Sequence, residues 1–140
     1  SYGESEDFLR RSVEASPSAA ALNDLAEVLR RIRRFEDAER QARAAIAKNA
    51  ELCVAWETLA SILIESGGSL DEAEKAVRKS IELYADDLRA QVTLGRVLAK
   101  KGEIEQARVI ARTVRNRQNE LSRFDQSELT KLLNESSSGR

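Results

Sequence analysis

Residues 59–63 read Leu59-Ala60-Ser61-Ile62-Leu63, a Leu and a small residue with a second Leu one helical turn on. The same frame stands at Leu25-Ala26-Glu27-Val28-Leu29 and at Leu94-Gly95-Arg96-Val97-Leu98. The intervals are 34 residues (59 − 25) and 35 residues (94 − 59). A second frame trails each copy of the first: Phe35, Ala38 and Ala42, then Leu70, Ala73 and Val77, then Ile104, Ala107 and Ala111. Self-similarity at this spacing marks stacked supersecondary units, each burying its apolar face against the next.

Within a unit the apolar spacing is helical. Leu22, Leu25, Ala26 and Leu29 follow an i, i+3, i+4, i+7 stripe, as do Trp56, Leu59, Ala60 and Leu63. The following helix shows its own stripe: Ala38, Ala42, Ala45 and Ile46, then Ala73, Val77, Ser80 and Ile81. Short polar turns separate the two helices at Arg33-Arg34, Gly67-Gly68-Ser69 and Gly102-Glu103. Connections this short force antiparallel helices. One extra residue in the second turn accounts for the change of interval. Ala26, Ala60 and Gly95 sit mid-helix, and Ala38, Ala73 and Ala107 sit one turn into the partner helix. Axes approach to about 8 Å only where the crossing side chains are small. The reading is an all-α chain of helix hairpins.

The pattern Trp56, Leu59, Ala60, Leu63, Gly67, Leu70, Ala73 resembles a tetratricopeptide repeat, as does Leu94-Gly95, Leu98, Gly102, Ile104, Ala107. The resemblance covers roughly residues 2–121, with three units in phase. Leu22 and Gln91 replace the family's frequent aromatic, and Ala50 and Ala85 replace its inter-repeat Pro. It implies a right-handed superhelix forming one domain over 1–140: a half repeat (2–17), repeats at 19–52, 53–87 and 88–121, and a capping helix (125–134). The half repeat is read from Tyr2, Ser5, Leu9, Ser12, Val13 and Pro17, which reproduce the second-helix pattern. Its uncovered apolar face calls for further repeats before it or for self-association through residues 2–13. The capping helix is read from Asp125 with Glu128 three residues on, then Leu129, Leu132 and Leu133. The Ser-rich tail 135–140 reads as disordered linker.

Composition narrows function. Hydrophobic residues at 41% and charged residues at 34% describe a folded, water-facing chain, and 4% aromatics leave packing to Ala, Leu, Ile and Val. A net charge of −1 offers no bulk attraction to nucleic acid or an anionic membrane. No apolar run approaches the roughly 18 residues of a membrane span, so insertion is not expected. With no His and a single Cys53, His-based triads, zinc sites and an internal disulfide are excluded. No catalytic residue, cofactor or metal site is assigned, and the chain is not read as an enzyme. The missing initiating Met is consistent with a piece of something longer.

Several conspicuous features take structural readings. Arg30, Arg31, Arg33 and Arg34 sit where cations complement a helix C-terminus, as do Lys100 and Lys101. Trp56 is read as packing within its unit. Arg108, Arg112 and Arg115 form an outer basic stripe, solvated or paired with acids such as Glu128.

The resemblance implies that the first helix of each unit lines a concave groove that binds a peptide or helical segment of a protein partner. The expected lining is Asn23, Asp24, Glu27, with Ala20 and Arg30, from the first unit. The second gives Val54, Glu57, Thr58, Ser61, Ile64 and Glu65, and the third Arg89, Val92, Thr93, Arg96 and Lys100. This lining reads as acidic at one end and basic at the other, which suits a bipolar ligand. Family members that clamp a C-terminal carboxylate carry Lys, Asn and further basic residues at set positions. Here Asn23, Glu27 and Thr58 occupy those positions and Arg89 alone keeps a suitable charge, so such a clamp is not expected. The alternative roles are a non-catalytic positioning arm of a larger enzyme or of a secretion or assembly machine, and self-association.

Overall fold

The computed structural model describes residues 3–7, 10, 18–121 and 123–138. The described residues are helical apart from short connections, with no strand among them. A leading helical stretch, α1 (residues 3–7 and 10), precedes three hairpins. These are α2 (Ala19–Arg31) with α3 (Phe35–Lys48), α4 (Cys53–Ser66) with α5 (Leu70–Leu83), and α6 (Leu88–Lys100) with α7 (Ile104–Arg115). A 3₁₀ turn, Gln118–Glu120, leads into α8 (Arg123–Ser138). Each hairpin packs internally, α3 leans on α4 and α5 on α6, and the first helices touch in the series α2–α4–α6. The chain is a tetratricopeptide-type solenoid.

Leu25, Leu59 and Leu94 are all buried, and Ala26, Ala60, Ala38, Ala73 and Ala107 have no exposed surface. One continuous core runs from Leu25 to Leu132, with a smaller cluster of Leu22, Ala45 and Ala55 at the first seam. Ser80 stands at a core position because its hydroxyl donates to the Cys53 carbonyl at 2.8 Å.

The hairpin turns share one device. Arg33, Gly67 and Gly102, equivalent in the repeat, adopt φ of 64°, 76° and 86°. The next amide in each case donates back across the turn: Arg34 to Leu29, Gly68 to Leu63 and Glu103 to Leu98, at 2.8–2.9 Å. That is the six-residue bond of a left-handed helix stop, which favours Gly because it has no Cβ to clash. Arg33 occupies it as a non-glycine residue, with its guanidinium 5.0 Å from the Phe35 ring centre. Gly68 is the inserted residue, since the second turn alone places a residue between the left-handed position and the N-cap, Ser69.

The C-terminal helix departs from expectation at both ends. It begins at Arg123 rather than Asp125, and it continues through Ser138, so 135–138 are helical instead of disordered linker. Tertiary ties explain the difference. Arg108 Nε donates to the Ser136 carbonyl at 3.2 Å, and Arg96 lies 3.7 Å from Glu135. Both act across the chain, so Ser-rich composition could not report them. Helix α8 packs on α6 and α7 alike, in the place a fourth unit's first helix would take. Leu129 and Leu132 are buried there, and a Cβ built on Gly95 would lie 2.6 Å from Leu132 Cδ2. Gly95 is therefore small for α8 first and for Ile110 of α7 second.

Trp56 is only partly buried; its ring packs against the core while its indole N–H donates to the Ala50 carbonyl at 2.8 Å. The apolar residues of the expected half repeat, Tyr2, Leu9, Val13 and Pro17, lie outside the described residues. Glu6 of α1 is buried and ties α1 to the first hairpin through Arg34 at 2.7 Å.

Candidate functional site

The first helices place their polar stripes side by side, and this brings together most of the expected groove residues without leaving them open. Asn23, Arg30, Glu57, Thr58, Ser61, Ile64, Val92 and Thr93 are buried between neighbouring helices. Helices α2, α4 and α6 approach so closely that the side chains beside the core stripe meet each other. Asp24 and Lys100 are exposed; Glu27, Val54, Arg89 and Arg96 are half-buried.

The buried polar groups form a ladder across the units. Thr58 and Thr93 hold the same position in successive units, and each hydroxyl donates to a carboxylate of the unit before. Thr58 reaches Glu27 Oε1 at 3.0 Å, and Thr93 reaches Glu57 Oε1 at 2.8 Å. Arg30 donates to Glu27 at 2.9 Å and to Glu65 of the next unit at 2.7 Å. Arg89 lies 3.5 Å from Glu57, 3.6 Å from Glu27 and 3.6 Å from Asp125 of α8. Arg96 donates to Glu128 at 2.6 Å. The acid-to-base polarity expected along the groove is therefore answered inside the protein, cation by carboxylate. Arg30 stands in the last turn of α2 as expected and is in addition a buried inter-unit tie. Glu128 meets Arg96 instead of the α7 stripe, where Arg112 and Arg115 are exposed and Arg108 pairs with Glu105.

The two central acids are shifted in opposite senses, although burial raises both. Glu57 is pushed above the usual carboxylate range by desolvation, which outweighs the pull of Arg89, Ser61 and Thr93. Burial also presses upward on Glu27, but Arg30, Arg89 and the Thr58 hydroxyl together hold it below that range. A single Coulombic partner at 3.5 Å without a hydrogen bond leaves Glu57 Oε2 poorly compensated.

Open space lies to one side of this ladder. A groove of about 710 Å³ runs along α2, with α1 as one wall and α4 and α6 as the other. Asn23, Asp24, Glu27, Val28 and Arg31 line it from α2, Glu4 and Ser5 from α1, Val54 from α4 and Arg89 from α6. Asn23 is 5% exposed, and its Oδ1 has no donor among the described residues. A buried acceptor left so costs about 1–3 kcal/mol. Val28 and Arg31 were missed in the sequence, where Val28 reads as an ordinary aliphatic next to the core stripe. The signal available was helical spacing: Asp24, Val28 and Arg31 fall on one face at i, i+4, i+7. The gap beside Glu57, between Arg30, Arg89 and Arg96, measures only about 10 Å³, too small for a ligand side chain.

Among the described residues no group of His, Cys, Asp or Glu is placed to hold a metal ion, and no helix is long and apolar enough to cross a membrane.

This fold is that of tetratricopeptide-repeat proteins. Solved structures similar to the chain include MamA, at 19% identity with a TM-score of 0.66, covering 99% of this chain and 68% of that one. A mutant O-GlcNAc transferase of Thermobaculum terrenum is 20% identical with a TM-score of 0.76, over 83% of this chain and 23% of that one. The first TPR of Spaghetti (RPAP3), bound to the HSP90 peptide SRMEEVD, is 23% identical with a TM-score of 0.65, over 69% of this chain and 76% of that one. No family model and no curated protein matches the chain.

Proposed function

We propose that this chain is a protein-interaction module, and that it holds an extended segment of a partner protein in the groove along α2. The observation that carries the reading is the groove itself. It is about 710 Å³, within the usual size of a ligand site, and it mixes a short apolar floor, Val28 and Val54, with polar groups on both walls. The rest of the first-helix face is closed by its own ion pairs, so the ligand engages the α1–α2 end rather than the full length of the solenoid. A neighbour of the same fold, the RPAP3 repeat domain, carries a peptide, which supports a partner of this kind. Charge reversal at Arg89 or Arg96 is not a clean test, because it would break the packing of α8 before it reported on a ligand.

A photo-crosslinking side chain at Val54 tests the reading against the same group at Val109, which is 60% exposed on α7. In extracts of the source organism the Val54 probe is expected to trap a discrete protein, and the Val109 probe is not. Equal yields from both positions would remove the groove from consideration.

A further inference from the structure

Taking the groove as the docking site, as proposed above, we infer that its occupant is an extended segment in which a Lys or Arg side chain and an aliphatic side chain are separated by one residue.

Charge supplies the first part. Arg30 and Arg89 are the guanidiniums behind the groove floor, and four carboxylates surround them: Glu27, Glu57, Glu65 and Asp125. Both cations are thus already committed. Asp24 adds a further exposed carboxylate at the open side, so the α2 wall carries surplus negative charge at its N-terminal end. Arg31, seven residues on and about 10 Å along the helix, is the opposing cation at the far end. A partner cation is favoured near Asp24 and opposed near Arg31, which fixes where along α2 it sits.

Spacing supplies the second part. Val28 lies one turn from Asp24, about 6 Å along the axis, and faces the same groove as Val54. In an extended chain, side chains on one face recur every second residue, at about 6.6 Å. A cation against Asp24 and an aliphatic group on Val28 and Val54 therefore fall at positions i and i+2.

Asn23 supplies an independent mark of a ligand. Asn23 lines the groove, its side chain is almost wholly buried, and its Oδ1 has no donor among the described residues. A main-chain N–H of an extended segment is the donor such an acceptor lacks, and the amide N–H₂ can answer a carbonyl of the same segment.

The test is to pan the whole chain against a random dodecapeptide display library and measure the selected peptides in solution. The expected consensus is cation–x–aliphatic in either direction. Affinity should drop at least tenfold in Asp24→Lys, drop similarly in Val54→Asp, stay unchanged in Val109→Asp, and weaken as NaCl rises. Circular dichroism of each variant separates loss of binding from loss of fold. An acidic or charge-free consensus that still depends on Val54 overturns the inference and leaves the docking site standing. Absence of any consensus, or peptides indifferent to both groove substitutions, overturns both.

Discussion

Gly95 is the point where local and tertiary preferences oppose each other most plainly, and its replacement by Ala puts numbers on both. In mid-helix, Ala is favoured over Gly by about 1 kcal/mol. The added methyl, however, would stand 2.6 Å from Leu132 Cδ2, 3.0 Å from Leu132 Cδ1 and 3.3 Å from Ile110 Cγ2. Ordinary carbon contacts lie at roughly 3.5–4 Å, so either α8 moves by about 1 Å or Leu132 changes rotamer. Leu132 has no exposed surface, so either change disturbs a filled core. Overpacking of this kind costs about 1–3 kcal/mol, which sets the net effect of Gly95→Ala at about 0–2 kcal/mol destabilising. Removing the obstacle reverses the sign: with Leu132→Ala already present, Gly95→Ala should stabilise by about 1 kcal/mol. Leu132→Ala alone should cost about 2–5 kcal/mol. Urea titration of the four proteins gives the coupling energy directly, and amide exchange in α8 shows whether the change is confined there. The expected coupling is about 1–3 kcal/mol. Additivity within about 0.5 kcal/mol would refute the claim that Gly95 exists to seat Leu132.

Other consequences are as direct. At Gly67 and Gly102 an added Cβ meets nothing within 4 Å, so Ala substitution there isolates the left-handed backbone cost, expected at about 1 kcal/mol each in urea unfolding; unchanged midpoints would discredit the shared turn. Arg30→Ala leaves Glu27 and Glu65 without their buried partner and should cost about 3–5 kcal/mol, whereas Arg31→Ala, at an exposed site, should stay within about 0.5 kcal/mol. Equal effects of the two would leave Arg30 with no more than a helix-end role. Glu57 holds its proton more tightly folded than unfolded, so its contribution is greatest below pH 4.5 and is lost as pH rises through its folded value. Glu27 runs the other way, its contribution being present above pH 4.5 and lost as pH falls. Glu57→Gln removes the first of these alone. Its stability relative to the parent should climb between pH 4.5 and pH 8, and a flat difference across that range contradicts a desolvated acid at this position.

The architecture was legible in the chain because each unit repeats the same local instruction. Period, helical stripe and short turn all act over fewer than 40 residues, and each is visible as spacing. Leu25, Leu59 and Leu94 occupy the equivalent core places that the register assigns them. Even the extra residue of the second turn was visible, and the backbone shows it as Gly68 between stop and cap. The site was much less legible. Position on a first helix told which residues stand beside the core stripe, but a face is open only if the neighbouring unit leaves it open. Glu57 and Thr58 are polar residues of the expected lining, yet the approach of α2 and α6 buries both.

What the chain settled by itself, then, is everything written in the distances between its apolar residues: helix, hairpin and phase. The tertiary structure alone decided which charges meet and which remain available. Arg96 belongs to Glu128, Arg89 to three carboxylates from three helices, and Ser136 is held helical by Arg108. Hydrophobic periodicity is a short-range record that each helix carries alone. Charge pairing depends on how closely two helices stack, a distance set by small residues such as Ala60 and Gly95 and realised only when the units assemble.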